Sequence, residues 1–132
     1  MSKSITEEAF ASGCKMMGEI YGKDFSSPQA KLGQSPFMDE TAGHLFADIW
    51  SRPGLSVRDR RLLVIGATAA LGRADLIEVQ VKGALENGEL NKAELDEMVL
   101  QLAFYVGWGN ATAVLRGIGA ALARHAADTP KS

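Results

Sequence analysis

The chain has 132 residues, of which 46% are hydrophobic, and a formal net charge of -2 at pH 7, which is typical of one globular domain with a single core. The charge gives no general attraction to nucleic acid or to anionic lipid, and the longest apolar run, residues 62–71, is too short to span a membrane. We predict one domain over residues 1–132, without a nucleic-acid or membrane partner. Because residues 1–10 lack the apolar core of a signal peptide, we expect a cytoplasmic protein.

The beginning of the chain predicts one helix followed by a loop. Ser4, with Glu7 three residues later, matches a capping box. The spaced apolar residues that follow predict a helix that ends near Gly22. Residues 23–35 are rich in serine, proline and glycine, and this composition favours a loop.

A second helix is predicted to begin at Pro36, which suits a first helical turn, and to end at Pro53. Its apolar face is expected to carry Phe37, Leu45, Phe46 and Ile49. A third helix should run from Ser56 to Gly72. Because this segment is apolar almost all round, we expect it at the centre of the structure or of an assembly.

Three more helices are predicted in the rest of the chain. One covers residues 74–87, and the next begins at Asn91, with Glu94 in the capping-box position, and ends at about Val106. The last covers about residues 110–127 and is rich in small residues, which permit close helix packing. No segment shows the alternating pattern of a strand bounded by hairpin turns, so the predicted fold class is all-α with about six helices.

Three stretches carry a family resemblance: DIWSRPGLSVRDRRLL (48–63), ALGR (70–73) and KGALENGELNKAELDEMVLQLAFYVG (82–107). In order and spacing they resemble the motifs of the carboxymuconolactone decarboxylase family of aromatic-compound catabolism. The resemblance implies a helical subunit of the alkylhydroperoxidase-like fold in a ring-like homo-oligomer, a homohexamer or homotrimer. It also implies a carbon-carbon lyase that removes CO2 from a small carboxylated, unsaturated lactone.

The chain departs from the family pattern at two positions after ALGR. Relatives of the decarboxylase type carry a glutamate and, four residues later, a histidine, whereas this chain has Leu76 and Gln80. The superfamily also contains thiol peroxidases that use a CxxC pair. Since Cys14 is the single cysteine, no second thiol could resolve an oxidised one, and we predict no peroxidase activity.

Four of the seven arginines lie between residues 52 and 61. Decarboxylation requires that carboxylates be held and a developing oxyanion be stabilised, and a planar guanidinium suits both tasks. Arg52 and Arg60 match the family's arginines, and the resemblance implies that they bind the substrate carboxylate or enolate. The alternative is that they form structural ion pairs. We expect Arg58 and Arg61 to face solvent.

A proton donor is predicted on the second helix. His44 and Asp48 are four residues apart, so they share a helix face, and a carboxylate beside an imidazole fixes its tautomer. We predict that His44, oriented by Asp48, transfers the proton, and that Trp50 forms an apolar wall beside it. The alternative is an exposed histidine–aspartate pair without a catalytic role.

Three further residues are predicted to contact the substrate: Gln80, Tyr105 and Trp108. Gln80 and Tyr105 can donate hydrogen bonds that polarise a ring carbonyl, and Trp108, between two glycines, suits a pocket wall. The alternatives are a satisfied core amide for Gln80 and subunit contacts for the two aromatic residues. No spacing of histidines and carboxylates indicates a metal site and no glycine-rich phosphate loop is present, so we predict no metal and no cofactor.

These patterns together predict a carboxymuconolactone decarboxylase-like enzyme that acts on a small anionic cyclic acid. Two alternatives remain open. One is an isomerase or cyclase of another pathway that uses the same groups without loss of CO2. The other is a homo-oligomer that binds a ligand without catalysis.

Overall fold

The computed structural model describes residues 4–22, 25 and 30–128, and every regular element in them is helical, which confirms the all-α prediction. The α-helices are α1 (Glu7–Tyr21), α2 (Pro36–Glu40), α3 (Val57–Ala70), α4 (Ala74–Glu86), α5 (Lys92–Val106) and α6 (Trp108–Asp128). A π-helix, Thr41–Phe46, and a 3-10 helix, Ile49–Ser51, lie between α2 and α3. The chain divides into two compact units with the boundary between Val57 and Arg58, and the single domain stays a prediction.

The N-cap of helix α1 lies two residues after the predicted one. The Thr6 hydroxyl accepts a hydrogen bond from the Ala9 backbone N–H at 3.0 Å, so Thr6 and not Ser4 is the N-cap. The helix ends at Gly22, as predicted, where φ is 101°, a conformation that favours glycine. Of the predicted loop at residues 23–35, residues 23–24 and 26–29 lie outside the described residues, and residues 25 and 30–35 are neither helix nor strand, as predicted.

The second predicted helix is instead three short pieces. After α2, the backbone N–H of Ala47 bonds the carbonyl of Ala42 at 3.1 Å, the five-residue spacing of a π-helix. The wider turn shifts later residues around the helix axis, so the straight apolar stripe expected from α-helical spacing does not form. Of the residues predicted for the apolar face, Phe46 is buried, whereas Phe37, Leu45 and Ile49 are exposed in the single chain.

Glycines let α1 pack closely against the π-helix in the first unit. A Cβ atom added at Gly13 would overlap the carbonyl group of Ala42, and one added at Gly43 would overlap the side chain of Ile5. The ring of Phe46 lies against that of Tyr21, with 5.4 Å between centroids. These contacts hold the length of α1, and Ile5 just before it, beside the π-helix.

The second unit has a core of aliphatic side chains on four helices, among them Ile65, Ile77, Leu95 and Val114. Helices α4 and α6 pack closely at Gly117, which bears out the small-residue face predicted for the last helix. The capping box of α5 is present as predicted. In the single chain, however, only one side of α3 is buried, and Leu63 is exposed.

Candidate active site

A cavity of about 620 Å³ lies in the first unit beside the π-helix. One part of its wall is residues 4–6, which precede α1, together with Ala9 on α1, and the other part is Glu40, Gly43, His44 and Asp48. The close contact of Gly43 with Ile5 sets the distance between these two parts. The cavity therefore joins a histidine and two carboxylates in a space large enough for a small-molecule ligand.

His44 is bonded to a different carboxylate from the one predicted. Its Nδ1 lies 3.0 Å from Oε2 of Glu40, where we had expected Asp48. Helical side chains lean toward the N-terminus, so the ring turns back to Glu40, four residues before it, and not forward to Asp48. Glu40 was missed by the sequence analysis, although the same four-residue spacing would have found it. Asp48 remains on the wall of the cavity.

Trp50 and Arg52 follow the π-helix but differ in their surroundings. Trp50 is buried, and its ring stacks on Phe46 with the centroids 5.9 Å apart, so most of its surface packs in the core. Arg52 ends the 3-10 helix and is exposed. Among the described residues, the wall of the His44 cavity contains no arginine or lysine. In the second unit Arg60 lies on α3 and is partly buried.

The prediction that Arg61 faces solvent is wrong. Its side chain is 0% exposed, and its guanidinium donates to both carboxylate oxygens of Glu89, at 2.6 and 3.1 Å. Nη1 of Arg61 also donates to the backbone and side-chain oxygens of Gln80, at 3.0 and 3.1 Å. Arg61 lies four residues before Ile65 on the buried face of α3, a spacing that indicates burial. Arg61 therefore forms a structural ion pair with Glu89.

Arg58 is also paired and not simply solvated. Its Nε donates to the carbonyl of Glu89 at 3.0 Å, and its Nη2 donates to Glu94 at 3.1 Å. This pair is partly exposed, so it contributes less than the buried one.

Gln80 is a buried amide in the second unit, and only 4% of it is exposed. Its side-chain oxygen accepts the hydrogen bond from Arg61, which leaves the amide nitrogen as the group that can donate to a ligand. Leu76, one turn earlier on α4, is exposed. Neither residue can supply a proton as an imidazolium does.

A second buried cation, Lys82, joins α4 to the end of α6. Its Nζ lies 2.7 Å from Glu86 and 2.9 Å from Asp128. Burial alone lowers the pKa of this ammonium, but hydrogen bonds to Asp128 and Glu86 outweigh it and hold the pKa above its ordinary value. Lys82 therefore stays charged and serves as an anchor for α6.

Tyr105 and Trp108 lie at the surface of the single chain. Tyr105 is 80% exposed and Trp108 is 67% exposed. Trp108 lines a shallow groove of about 230 Å³ between α5 and α6, together with Leu100 and Leu115, and its ring meets that of Phe104 edge-on at 5.9 Å. We call Leu100, Phe104, Trp108 and Leu115 the aromatic face.

Two absences hold for the part of the chain that the structure describes. No group of three or more histidine, cysteine, aspartate or glutamate residues is arranged to hold a metal ion. None of the helices there is both long and apolar enough to cross a membrane.

Comparison with known proteins shows the family. The sequence profile of the carboxymuconolactone decarboxylase family matches residues 36–118, which is more than half of the chain. The chain belongs to the carboxymuconolactone decarboxylase family. The resemblance seen in the sequence is thereby confirmed. The matched region includes Glu40, His44 and Asp48, whereas the residues of α1 that complete the cavity precede it.

Two similar proteins are named as decarboxylases. The chain is 29% identical over 104 residues to 4-carboxymuconolactone decarboxylase of Acinetobacter baylyi. The aligned region covers 76% of this chain and 77% of that protein. It is 28% identical over 107 residues to nitrosuccinic acid decarboxylase npaB of Metarhizium robertsii, with 74% and 70% of the two chains covered. The family and both relatives support a decarboxylase-like enzyme.

Proposed function

We propose that this protein removes CO2 from a small carboxylic acid and that His44 donates the proton that replaces it. The observation that carries the proposal is the position of His44, which lines a cavity and has a carboxylate on Nδ1, in a chain similar to two decarboxylases. Loss of CO2 leaves an electron pair, which moves into a neighbouring electron-withdrawing group. Nε2 of the protonated ring then gives its proton to carbon.

The substrate class follows from the chemistry of the two named acids. 4-Carboxymuconolactone combines carboxylates with a lactone carbonyl, and nitrosuccinic acid combines two carboxylates with a nitro group. The lactone carbonyl of the first acid and the nitro group of the second can each accept the electron pair that CO2 leaves behind. We infer a substrate of the same kind, a small carboxylated acid with a carbonyl or nitro group as the electron acceptor, and a carboxylated unsaturated lactone in particular.

Charge balance supports a role for Arg52 in holding this substrate. Glu40 and Asp48 both line the His44 cavity, and two carboxylates repel an anionic ligand. Protonated His44 offsets one of these two carboxylates, so a polyacid needs further positive charge from outside the described wall. Arg52, four residues beyond Asp48, offers an exposed guanidinium in the same unit, and Arg60 is the second arginine at a family position. The roles predicted for Gln80 and Tyr105, which lie in the second unit, stay predictions.

The role of Arg52 is testable with a matched pair of variants. We expect Arg52→Met to lower kcat/KM for CO2 release by about 10- to 100-fold, since a charge-assisted hydrogen bond to a carboxylate is lost. The substrates are 4-carboxymuconolactone and nitrosuccinic acid. Arg116→Met, at an exposed arginine on α6, is the control and should stay within about twofold of the unmodified protein. Equal activity of the two variants would contradict the role of Arg52.

A function without catalysis is favoured by one observation in the second unit. The oxygen of Gln80 is bonded to Arg61, and Leu76 is apolar, so this pair of positions supplies no acid or base. If decarboxylation requires an acid or a base at these two positions, the protein binds a carboxylic acid and releases it unchanged.

We also propose that the protein self-associates, as a homohexamer or homotrimer, through the aromatic face. Phe104 is 75% exposed, and with Trp108 and two half-exposed leucines this face presents on the order of 500 Å² of apolar surface, a large part of the ~800 Å² that each partner buries in a standard interface. A second copy can cover this surface.

The oligomeric state tests this interface. In sedimentation experiments we expect the unmodified protein to be an oligomer and Phe104→Glu to shift it toward monomer, because a carboxylate would be buried in an apolar contact. Phe37→Glu, at an equally exposed phenylalanine in the first unit, should leave the oligomer intact. An unmodified protein that is monomeric, or a Phe104→Glu variant that keeps the oligomer, would contradict the proposal.

A further inference from the structure

We propose that Glu40 is the positioning residue of His44, holding the ring so that Nε2 is the atom that exchanges a proton with the substrate. This inference rests on the proposed function, in which His44 is the proton donor. It assigns a role to a carboxylate that the sequence analysis passed over, and it removes that role from Asp48.

The hydrogen bond between the two side chains determines which ring nitrogen is available. Nδ1 of His44 lies 3.0 Å from Oε2 of Glu40. A carboxylate accepts hydrogen bonds but does not donate them, so Nδ1 must carry a hydrogen and the neutral ring is the Nδ1–H tautomer. Nε2 is then the nitrogen left for a ligand. A free imidazole in water prefers the other tautomer, so Glu40 changes the state of the ring.

The local backbone fixes this pair on the cavity wall. Glu40 is the last residue of α2, and His44 lies inside the π-helix that follows directly. The hydroxyl of Thr41 donates to the carbonyl of Phe37 at 2.6 Å, which secures the junction of the two helices. On the other side of His44, Gly43 packs against Ile5. π-Turns of this kind are frequent at functional sites.

The arrangement suits a group that donates one proton and recovers it. The protonated ring carries hydrogens on both nitrogens, and transfer from Nε2 to carbon leaves the Nδ1–H tautomer that Glu40 stabilises. The His44 side chain is 54% exposed, so water can return a proton to Nε2. Besides His44 and Glu40, Asp48 is the titratable group on the described cavity wall. The opposite part of the wall consists of Ser4, Ile5, Thr6 and Ala9, which do not titrate. Asp48 has no such bond to the ring in this structure and acts only through its charge.

The tautomer can be measured without substrate. Nitrogen-15 NMR of the ring, assigned with a His44→Gln variant because the chain has two histidines, should show the Nδ1–H form of neutral His44 in the unmodified protein. Glu40→Ala should return the ring to the ordinary Nε2–H form, and Glu40→Gln, which keeps an acceptor oxygen, should retain much of the Nδ1–H form. Asp48→Ala should leave the tautomer unchanged.

Kinetics with 4-carboxymuconolactone and nitrosuccinic acid complete the test. Glu40→Ala should lower kcat about 5- to 10-fold with KM unchanged, and Glu40→Gln should restore part of it. A hydrogen bond with a merely structural role would set the tautomer but leave kcat unchanged. If His44→Gln loses activity while Glu40→Ala keeps either its tautomer or its kcat, this inference is overturned and the proposed function stands. If His44→Gln is fully active, the proposed function itself fails.

Discussion

Glu89→Gln is expected to lower the free energy of unfolding by about 3–5 kcal/mol, because it removes the carboxylate that neutralises a fully buried arginine. Arg61 is 0% exposed and donates two hydrogen bonds to Glu89. Without that partner the guanidinium remains in the core as an uncompensated charge. The loss is a large share of the 5–15 kcal/mol typical of a domain, and urea denaturation at one fixed protein concentration would measure it.

Two comparisons separate the buried charge from a general effect of losing a carboxylate. Asp96→Asn breaks an exposed pair with Lys92 on α5 and should change the free energy of unfolding by less than about 1 kcal/mol. The double variant Arg61→Met with Glu89→Met replaces the whole pair by apolar side chains and should recover most of the stability. A loss below about 1 kcal/mol for Glu89→Gln would mean that Arg61 finds water or another partner.

Gly13→Ala is expected to destabilise the first unit by about 3 kcal/mol, at the upper end of the effects of overpacking. The added Cβ would overlap the backbone carbonyl of Ala42, which cannot turn aside as a flexible side chain can. Helix α1 would have to move away from the π-helix, and the His44 cavity between them would change shape. Urea denaturation would measure the loss of stability.

Gly18→Ala on the same helix is the matched control. A Cβ atom at Gly18 meets nothing within 4 Å, and alanine favours a helix interior over glycine by roughly 0.5–1 kcal/mol. This variant should therefore be slightly more stable than the unmodified protein. If Gly13→Ala were instead as stable as Gly18→Ala, helix propensity and not the contact with Ala42 would determine the effect.

The sequence predicted those parts of the fold that local signals specify. The capping box of Asn91 and Glu94 placed the beginning of α5 correctly, and glycine predicted the end of α1. The order of motifs predicted the family, which the profile match confirms. These signals lie within a few residues of the features that they determine, so they can be recognised without knowledge of tertiary contacts.

The remaining features depend on contacts that a linear pattern does not contain. The π-turn at Thr41–Phe46, which packs against α1, is predicted by no short motif. Arg61 was assigned to solvent because arginine is usually exposed, but its partner Glu89 is 28 residues away. For His44 the sequence offered two carboxylates at equal spacing, and the direction of the side chain selected Glu40.

Decarboxylation is tested most directly by following the carbon atoms. 4-Carboxymuconolactone and nitrosuccinic acid, each labelled with carbon-13 in the carboxyl groups, would be incubated with the unmodified protein and, in parallel, without it. The account predicts that the protein releases one labelled CO2 for each molecule of product from at least one acid, faster than in the control. A product that keeps all its carbons, or acids recovered unchanged, would contradict it.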